Sequence, residues 1–146
     1  MHISLDRKLQ ALYILTLVAG TSVFAYYEIL NDGALQFEAS TPDSLKYGAE
    51  IFADLLAVVF VYLSTRLMRM PRVQASLASH PSRYAFWACL RWGMLASVIF
   101  LGLGVRYALL SPSTLGCPII GALAMCFVWP TSRRRRGECG MQPVEP

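Results

Sequence analysis

Four long runs of apolar residues dominate the sequence, and short polar segments separate them. The runs cover approximately residues 9–30, 47–67, 84–110 and 113–129. A bilayer core is about 30 Å thick, and a helix needs about 20 apolar residues to cross it. The pattern therefore predicts an all-α, polytopic membrane protein in which residues 1–130 form a four-transmembrane-helix bundle.

The first and last runs each raise a further question. The first follows Arg7 and Lys8, as the core of a cleaved signal peptide would, but its length and the lack of a small-residue cleavage site favour an uncleaved helix. The fourth is short, so it must cross with little tilt. Pro130 ends this helix, and the basic tail at 131–146 is predicted to be disordered.

The composition also indicates a lipid environment. Of the 146 residues, 55% are hydrophobic and 15% are charged, and the mean hydropathy is +0.47. Soluble domains are usually about 45–50% apolar and about 25% charged. The net charge of +4 would suggest nucleic acid as the partner of a soluble protein. Because the basic residues lie between apolar runs, we expect the lipid bilayer as the partner and no nucleic acid.

The positions of the basic residues predict the orientation, because lysine and arginine are enriched in cytoplasmic loops. The segment before the first helix has two, the loop between the second and third helices has four, and the tail has the four residues Arg133, Arg134, Arg135 and Arg136. The opposite side has Lys46, with Arg106 at the helix edge. Both termini are therefore expected in the cytoplasm. The short loops favour a bacterial inner membrane, and the tail arginines are expected to contact anionic lipid.

Acidic residues at the predicted outer end are the main candidates for a site. Glu50 and Asp54 are four apart and share one face of the second helix. Glu28 ends the first helix and Arg106 ends the third on the same side. Carboxylates within a membrane are costly and often functional, so these four residues form a candidate proton or cation site. The alternative is structural: the acids are solvated or pair with Arg106.

Arg91 lies about two turns inside the third helix, on the same side of that helix as Arg106. Two arginines without a regular three-residue spacing give a weak signal for a charge sensor. We expect each long side chain to extend toward its nearer membrane surface instead.

Small residues recur every four positions on two helices, a spacing that lets helix backbones approach closely in lipid. The second helix carries Ala49, Ala53 and Ala57, and the third carries Cys89, Gly93 and Ser97. These ridges predict either a close contact between the two helices or a face for self-association. The arginines of the third helix lie opposite its small-residue ridge.

The sequence contains no cofactor motif and no metal-ligand cluster, and its histidines, His2 and His80, lie outside the apolar runs. We therefore expect no cofactor, no bound metal and no enzyme activity; a membrane enzyme of lipid chemistry would have only His80 as a neutral-pH acid or base. The leading hypothesis is an accessory, assembly or regulatory subunit that associates with a membrane-protein partner or with its own copies. The alternative is a homo-oligomeric proton- or cation-coupled transporter or channel subunit that uses Glu50 and Asp54.

Overall fold

The computed structural model describes residues 5–30, 42–109 and 115–138, and these ranges contain helices and short connections without a strand. The α-helices within these ranges are α1 (Leu5–Ala25), α2 (Asp43–Arg66), α3 (Pro71–Ser79), α4 (Tyr84–Leu109), α5 (Gly116–Phe127) and α6 (Ser132–Glu138). A π-helical turn at Tyr26–Leu30 continues α1, and 3₁₀ turns at Leu67–Arg69 and Pro81–Arg83 flank α3.

Among the described residues, three helical segments are long and apolar enough to cross a membrane: Leu5–Ile29, Asp43–Arg69 and Tyr84–Ala108. The predicted all-helical membrane class is therefore confirmed. The fourth apolar helix, α5, has 12 residues, and at about 1.5 Å per residue it is only about 18 Å long. The fourth crossing stays a prediction.

Large apolar side chains cover the outside of the three long helices and α5. The most exposed examples are Leu15, Val18, Ile29, Ile51, Phe52, Leu55, Val58, Phe86, Leu123 and Phe127. Exposure of apolar surface to water costs a free energy of about 25 cal/mol for each Å², whereas exposure to the apolar core of a bilayer does not have this cost. The chain is an integral membrane protein.

Helix α4 is the centre of the bundle and packs against α1, α2 and α5. Leu95, Ile99 and Leu103 of α4 form a buried cluster with Tyr13 of α1 and Met125 of α5. Because α4 has neighbours on three sides, the positions of the other membrane helices depend on its packing.

Glycines allow α5 to lie directly on α4. A Cβ atom at Gly102 would lie 2.7 Å from Cδ of Pro118 and 2.8 Å from Cβ of Cys117, and one at Gly121 would lie 2.9 Å from Cγ1 of Ile99. These distances are too short for real carbon contacts. Glycine, which has no side chain, is therefore required at both positions.

The membrane helices alternate in direction. At one end, Asp6 near the start of α1 meets Arg135 of α6 at 3.4 Å. Gln10 donates a hydrogen bond to the carbonyl of Pro130 at 2.8 Å, just after α5. We call this the arginine-rich end. At the opposite end, here the acidic end, α1 finishes beside the last turns of α4 and the first half of α2 meets the start of α5.

Helix α3 covers part of the arginine-rich end. Val73 and Leu77 are four apart on one face and pack in a buried cluster with Leu9 and Tyr84. Pro71 at the first position suits a helix start because its missing N–H would be unbonded there anyway. The segment is too short and too polar for the apolar-run pattern to predict it.

Helix α6 differs from the disordered tail that the sequence predicted at 131–146. Thr131 caps it: the Arg134 backbone N–H donates to the Thr131 side-chain oxygen at 3.3 Å. Glu138 at its end has a side chain that is only 14% exposed, because it packs against the bundle. Residues 139–146 lie outside the described residues.

Candidate functional site

At the acidic end, an ion pair joins α1 to α4. Arg106 donates from Nε to Oε1 of Glu28 at 3.1 Å and also from Nη2 to the same oxygen. The hydroxyl of Tyr107 donates to that oxygen at 3.2 Å, and its ring stacks on Tyr27 with 4.6 Å between centroids. The structure thus brings together two of the four residues of the predicted site.

The other two acids of that predicted site lie elsewhere. Asp54 is exposed and accepts a hydrogen bond from the Cys117 thiol of α5 at 3.0 Å. Glu50 is half-buried and has no hydrogen bond or ion pair with any residue that the structure describes. The four charges therefore divide into a Glu28–Arg106 pair, an Asp54–Cys117 contact and a separate Glu50 within the described residues.

At the arginine-rich end, Arg91 is buried beneath α6. Its side chain is 1% exposed, and Nη1 donates to Oε1 of Glu138 at 2.9 Å. The expectation that Arg91 extends toward its nearer membrane surface stays a prediction; the sequence did not predict that α6 brings a carboxylate to the guanidinium.

Glu138 is the centre of this network. Its Oε1 atom also accepts from Nε of Arg134 at 2.9 Å, and its Oε2 accepts from the hydroxyl of Tyr84 at 3.1 Å. One carboxylate thus receives three donors from α4 and α6. Charge-assisted bonds of this kind are about twice as strong as neutral ones. The bonds from Arg91 and Tyr84 fasten α6 to α4, whereas the bond from Arg134 lies within α6.

Within this network, the buried Arg91 has hydrogen-bond donors that Glu138 does not use. Nε and Nη2 of Arg91 are buried and have no hydrogen-bond partner among the residues that the structure describes. The same holds for Nε1 of Trp87, one turn earlier on α4. Arginine carries five N–H groups, of which three belong to Nε and Nη2. The Tyr13 side chain of α1 also interacts with the Arg91 guanidinium, but the donors on Nε and Nη2 leave capacity for a further acceptor.

The four tail arginines fall into two groups. Arg134 also donates to the carbonyl of Phe127 at 2.7 Å, and Arg135 pairs with Asp6. Arg133 and Arg136 are exposed. Contact with anionic lipid stays a prediction for these four residues, and the two exposed side chains are the best placed for it.

The two predicted small-residue ridges have different environments. On α2, Ala53 and Ala57 are buried against Val98 of α4 and Cys117 of α5, and Ala49 is half-buried. On α4, by contrast, the ridge faces outward. Cys89 is exposed, Ser97 is half-buried, and a Cβ at Gly93 would find nothing within 4 Å.

The surface of an open groove between α1, α4 and α5 is almost entirely apolar, with Thr21 as a polar lining residue. Leu17, Phe24, Ile99 and Ile119 are among its lining residues, and none of the lining residues is charged. The described residues also contain no group of three or more His, Cys, Asp or Glu side chains that would hold a metal ion.

Sequence reasoning missed Glu138, the residue that completes the buried network. A signal was present: an arginine two turns inside a helix needs a carboxylate, and the arginine-rich side of the sequence has few acids. No known protein-family model matches the chain, and comparisons with curated proteins and with solved structures also found no match.

Proposed function

We propose that the chain crosses a bacterial inner membrane four times, with the arginine-rich end in the cytoplasm. The contacts between Asp6 and Arg135 and between Gln10 and Pro130 support this topology, because they hold the start of α1 and the region after α5 at one end. The excess of arginine at that end agrees with the positive-inside rule. Local thinning of the bilayer would let the short α5 cross.

We propose that within this topology the protein is a non-enzymatic accessory, assembly or regulatory subunit that acts by helix–helix association. The outward small-residue ridge of α4 carries this proposal. Membrane helices associate through close packing of small residues, since lipid gives no hydrophobic force between them. Cys89 and Gly93 offer such a surface, and the helices in the described part of the chain leave it uncovered.

The bundle's internal contacts also favour association over chemistry at the arginine-rich end. The buried charges there bind one another across α4 and α6. Their geometry supports a stable scaffold, and the central position of α4 would transmit a partner's contact to every membrane helix.

A photo-crosslinking amino acid at Leu90 tests the proposal, because Leu90 is exposed on the outward face of α4. Irradiation in native membranes should yield a discrete protein adduct, of either a partner or a second copy. The same crosslinker at Leu55, which is 62% exposed on α2, is the control and should give lipid adducts only.

A pair of glycine variants sharpens this test. Gly93 and Gly48 both lie in helices, and a Cβ at either meets nothing within 4 Å. Gly93→Ile should abolish the adduct from position 90 because its branched side chain blocks close packing, whereas Gly48→Ile should leave it unchanged. Equal adducts from positions 90 and 55, or insensitivity to Gly93→Ile, would contradict association through this ridge.

A second candidate function is a homo-oligomeric proton- or cation-coupled transporter or channel subunit. The observation that favours it is Glu50, a half-buried carboxylate without an ion pair among the described residues, one turn from Asp54. The double variant Glu50→Gln, Asp54→Asn should stop ion flux in proteoliposomes if this function is correct. Unchanged flux would exclude it.

A further inference from the structure

We propose that Arg91, Arg134 and Tyr84 form a binding site for a phosphate monoester, and that the Glu138 carboxylate fills this site as an internal substitute. The site lies at the arginine-rich end, between α4 and α6. The proposal goes beyond the association function and does not depend on it, because it concerns a different face of α4.

The charges at this site are not balanced. Arg91 and Arg134 both donate to the same Glu138 oxygen, so two guanidinium groups share one carboxylate. The cluster keeps a formal charge of about +1 when each arginine counts +1 and the carboxylate −1. A phosphate monoester carries about −1.5 to −2 at neutral pH and would balance both arginines more closely.

Arg91 also has buried N–H donors that Glu138 does not use. Arg91 is 1% exposed, and its Nε and Nη2 atoms are buried without a hydrogen-bond partner in the described part of the chain. Unpaired buried donors are costly. A phosphate has three terminal oxygens and binds arginine in a bidentate manner. It would therefore use donors that Glu138 leaves unused.

The side chains around the Glu138 carboxylate are arranged as a binding site would require. Tyr84 and Arg91 are seven apart and lie on one face of α4, and Tyr84 donates to the second Glu138 oxygen at 3.1 Å. Arg134 approaches from α6 at 2.9 Å. The carboxylate thus occupies a cradle whose three side chains come from two helices.

The site opens at the edge of α6. Arg134 is 33% exposed, whereas Arg91 behind it is 1% exposed. Helix α6 has seven residues, so a small number of contacts holds it in place. A phosphate that displaced Glu138 would keep Arg91, Arg134 and Tyr84 as ligands, because Arg134 is also held by the Phe127 carbonyl, and would release the end of α6 beyond Arg134.

A lipid surface is the source that the fold favours, because the arginine-rich end lies where a bilayer presents its headgroups. Exposed Arg133 and Arg136 flank the site and would attract anionic lipid. Free phosphate has the same chemistry, and the experiment distinguishes the two sources.

Native mass spectrometry of the full chain in detergent gives the test, with short-chain phosphatidic acid as the probe. Glu138→Gln should bind it about tenfold more tightly than the wild type, because the competing negative charge is removed. Arg91→Gln, Glu138→Gln together should lose this gain. Lys46→Gln, which removes one positive charge at the opposite end of the bundle, should keep wild-type affinity within about twofold.

Headgroup controls define the ligand. A phosphatidylmethanol of equal chain length, a phosphate diester with one negative charge, should bind more weakly than phosphatidic acid. If inorganic phosphate also binds in an Arg91-dependent manner, the site accepts free phosphate, and if it does not, the site requires a lipid headgroup; both results support the proposal.

The Glu138→Gln variant could fail to fold. A second measurement therefore uses a protein that keeps Glu138. A spin label at Gly137→Cys, where a Cβ meets nothing within 4 Å, should become more mobile when phosphatidic acid is added and not when phosphatidylmethanol is added. The proposal is overturned if this mobility is unchanged, if Glu138→Gln folds but binds no tighter, or if Arg91→Gln leaves the gain intact.

Discussion

The two ends of α4 each carry an arginine that pairs with a carboxylate from another helix, yet the pairs differ in burial. At the arginine-rich end, Arg91 is 1% exposed and Glu138 is 14% exposed. At the acidic end, Arg106 is 18% exposed and Glu28 is 31% exposed. The same side-chain chemistry therefore acts in a dry environment at one end and in a more accessible one at the other.

This difference separates two ways of fastening a helix bundle. A buried ion pair is no net gain over apolar packing, but removal of one partner leaves a buried charge and is strongly destabilising. A more exposed pair loses less, because water or headgroups replace the partner. At the acidic end, α4 and α5 also lie in close contact at Gly102 and Pro118, with no space for a side chain at position 102.

The largest effect should come from the buried pair. Glu138→Gln removes the charge opposite Arg91 and should lower the free energy of unfolding by about 3–5 kcal/mol, measured by thermal or chemical unfolding in detergent without phosphate. Arg136→Gln, an exposed neighbour in α6, is the control and should change little. Equal effects of the two substitutions would mean that α6 does not hold Glu138 against Arg91.

The next largest effect should come from the close contact of α4 with α5. In Gly102→Val the new side chain would overlap Pro118 and Cys117, at a cost of about 1–3 kcal/mol. Gly104→Val, two residues along the same helix, meets open space. It should retain the wild-type unfolding temperature, and a loss of stability as large as that of Gly102→Val would contradict this packing of α5 on α4.

A neutral hydrogen bond should have a smaller effect than either. Trp92 donates from Nε1 to the buried Thr16 hydroxyl at 2.9 Å, which joins α4 to α1. Thr16→Val should cost about 1 kcal/mol because the indole N–H loses its acceptor. Thr21→Val, at an exposed position on the same helix, should be neutral in the same unfolding measurement.

The smallest effect should come from the accessible pair. Glu28→Gln keeps a hydrogen-bond acceptor beside Arg106, and the site is open enough for solvent to replace the lost charge. The unfolding temperature should fall less than in Glu138→Gln, and the difference from wild type should shrink in high salt. A fall as large as that of Glu138→Gln would remove the distinction between the two ends.

The membrane class could be predicted from the sequence because it depends on run length alone. About 20 apolar residues define a span whatever they pack against, and α1, α2 and α4 each contain such a run. The structure moves their starts: α1 begins at Leu5 and α2 at Asp43, since polar residues also form the first turns of these helices.

The buried network could not be predicted in the same way. Arg91 and Glu138 are 47 residues apart, and α6 is too short and too charged to show an apolar pattern. The position of α6 against α4 decides which arginine is buried. This position is a tertiary contact, and local sequence patterns do not reveal it. Topology did place Glu28 and Arg106 at the same end, but the sequence could not show that Asp54 meets Cys117 instead of Arg106.

The most direct test of the four-crossing topology is the labelling of single cysteines with a membrane-impermeant maleimide on sealed vesicles. Ser44→Cys at the start of α2 and Gly137→Cys in α6 are separated by α2, α4 and α5, in a background where Cys89, Cys117, Cys126 and Cys139 are replaced by Ser. Position 44 should react only in right-side-out vesicles and position 137 only in inside-out vesicles. Reaction of both positions from the same face would show that α5 does not cross, and would contradict the topology.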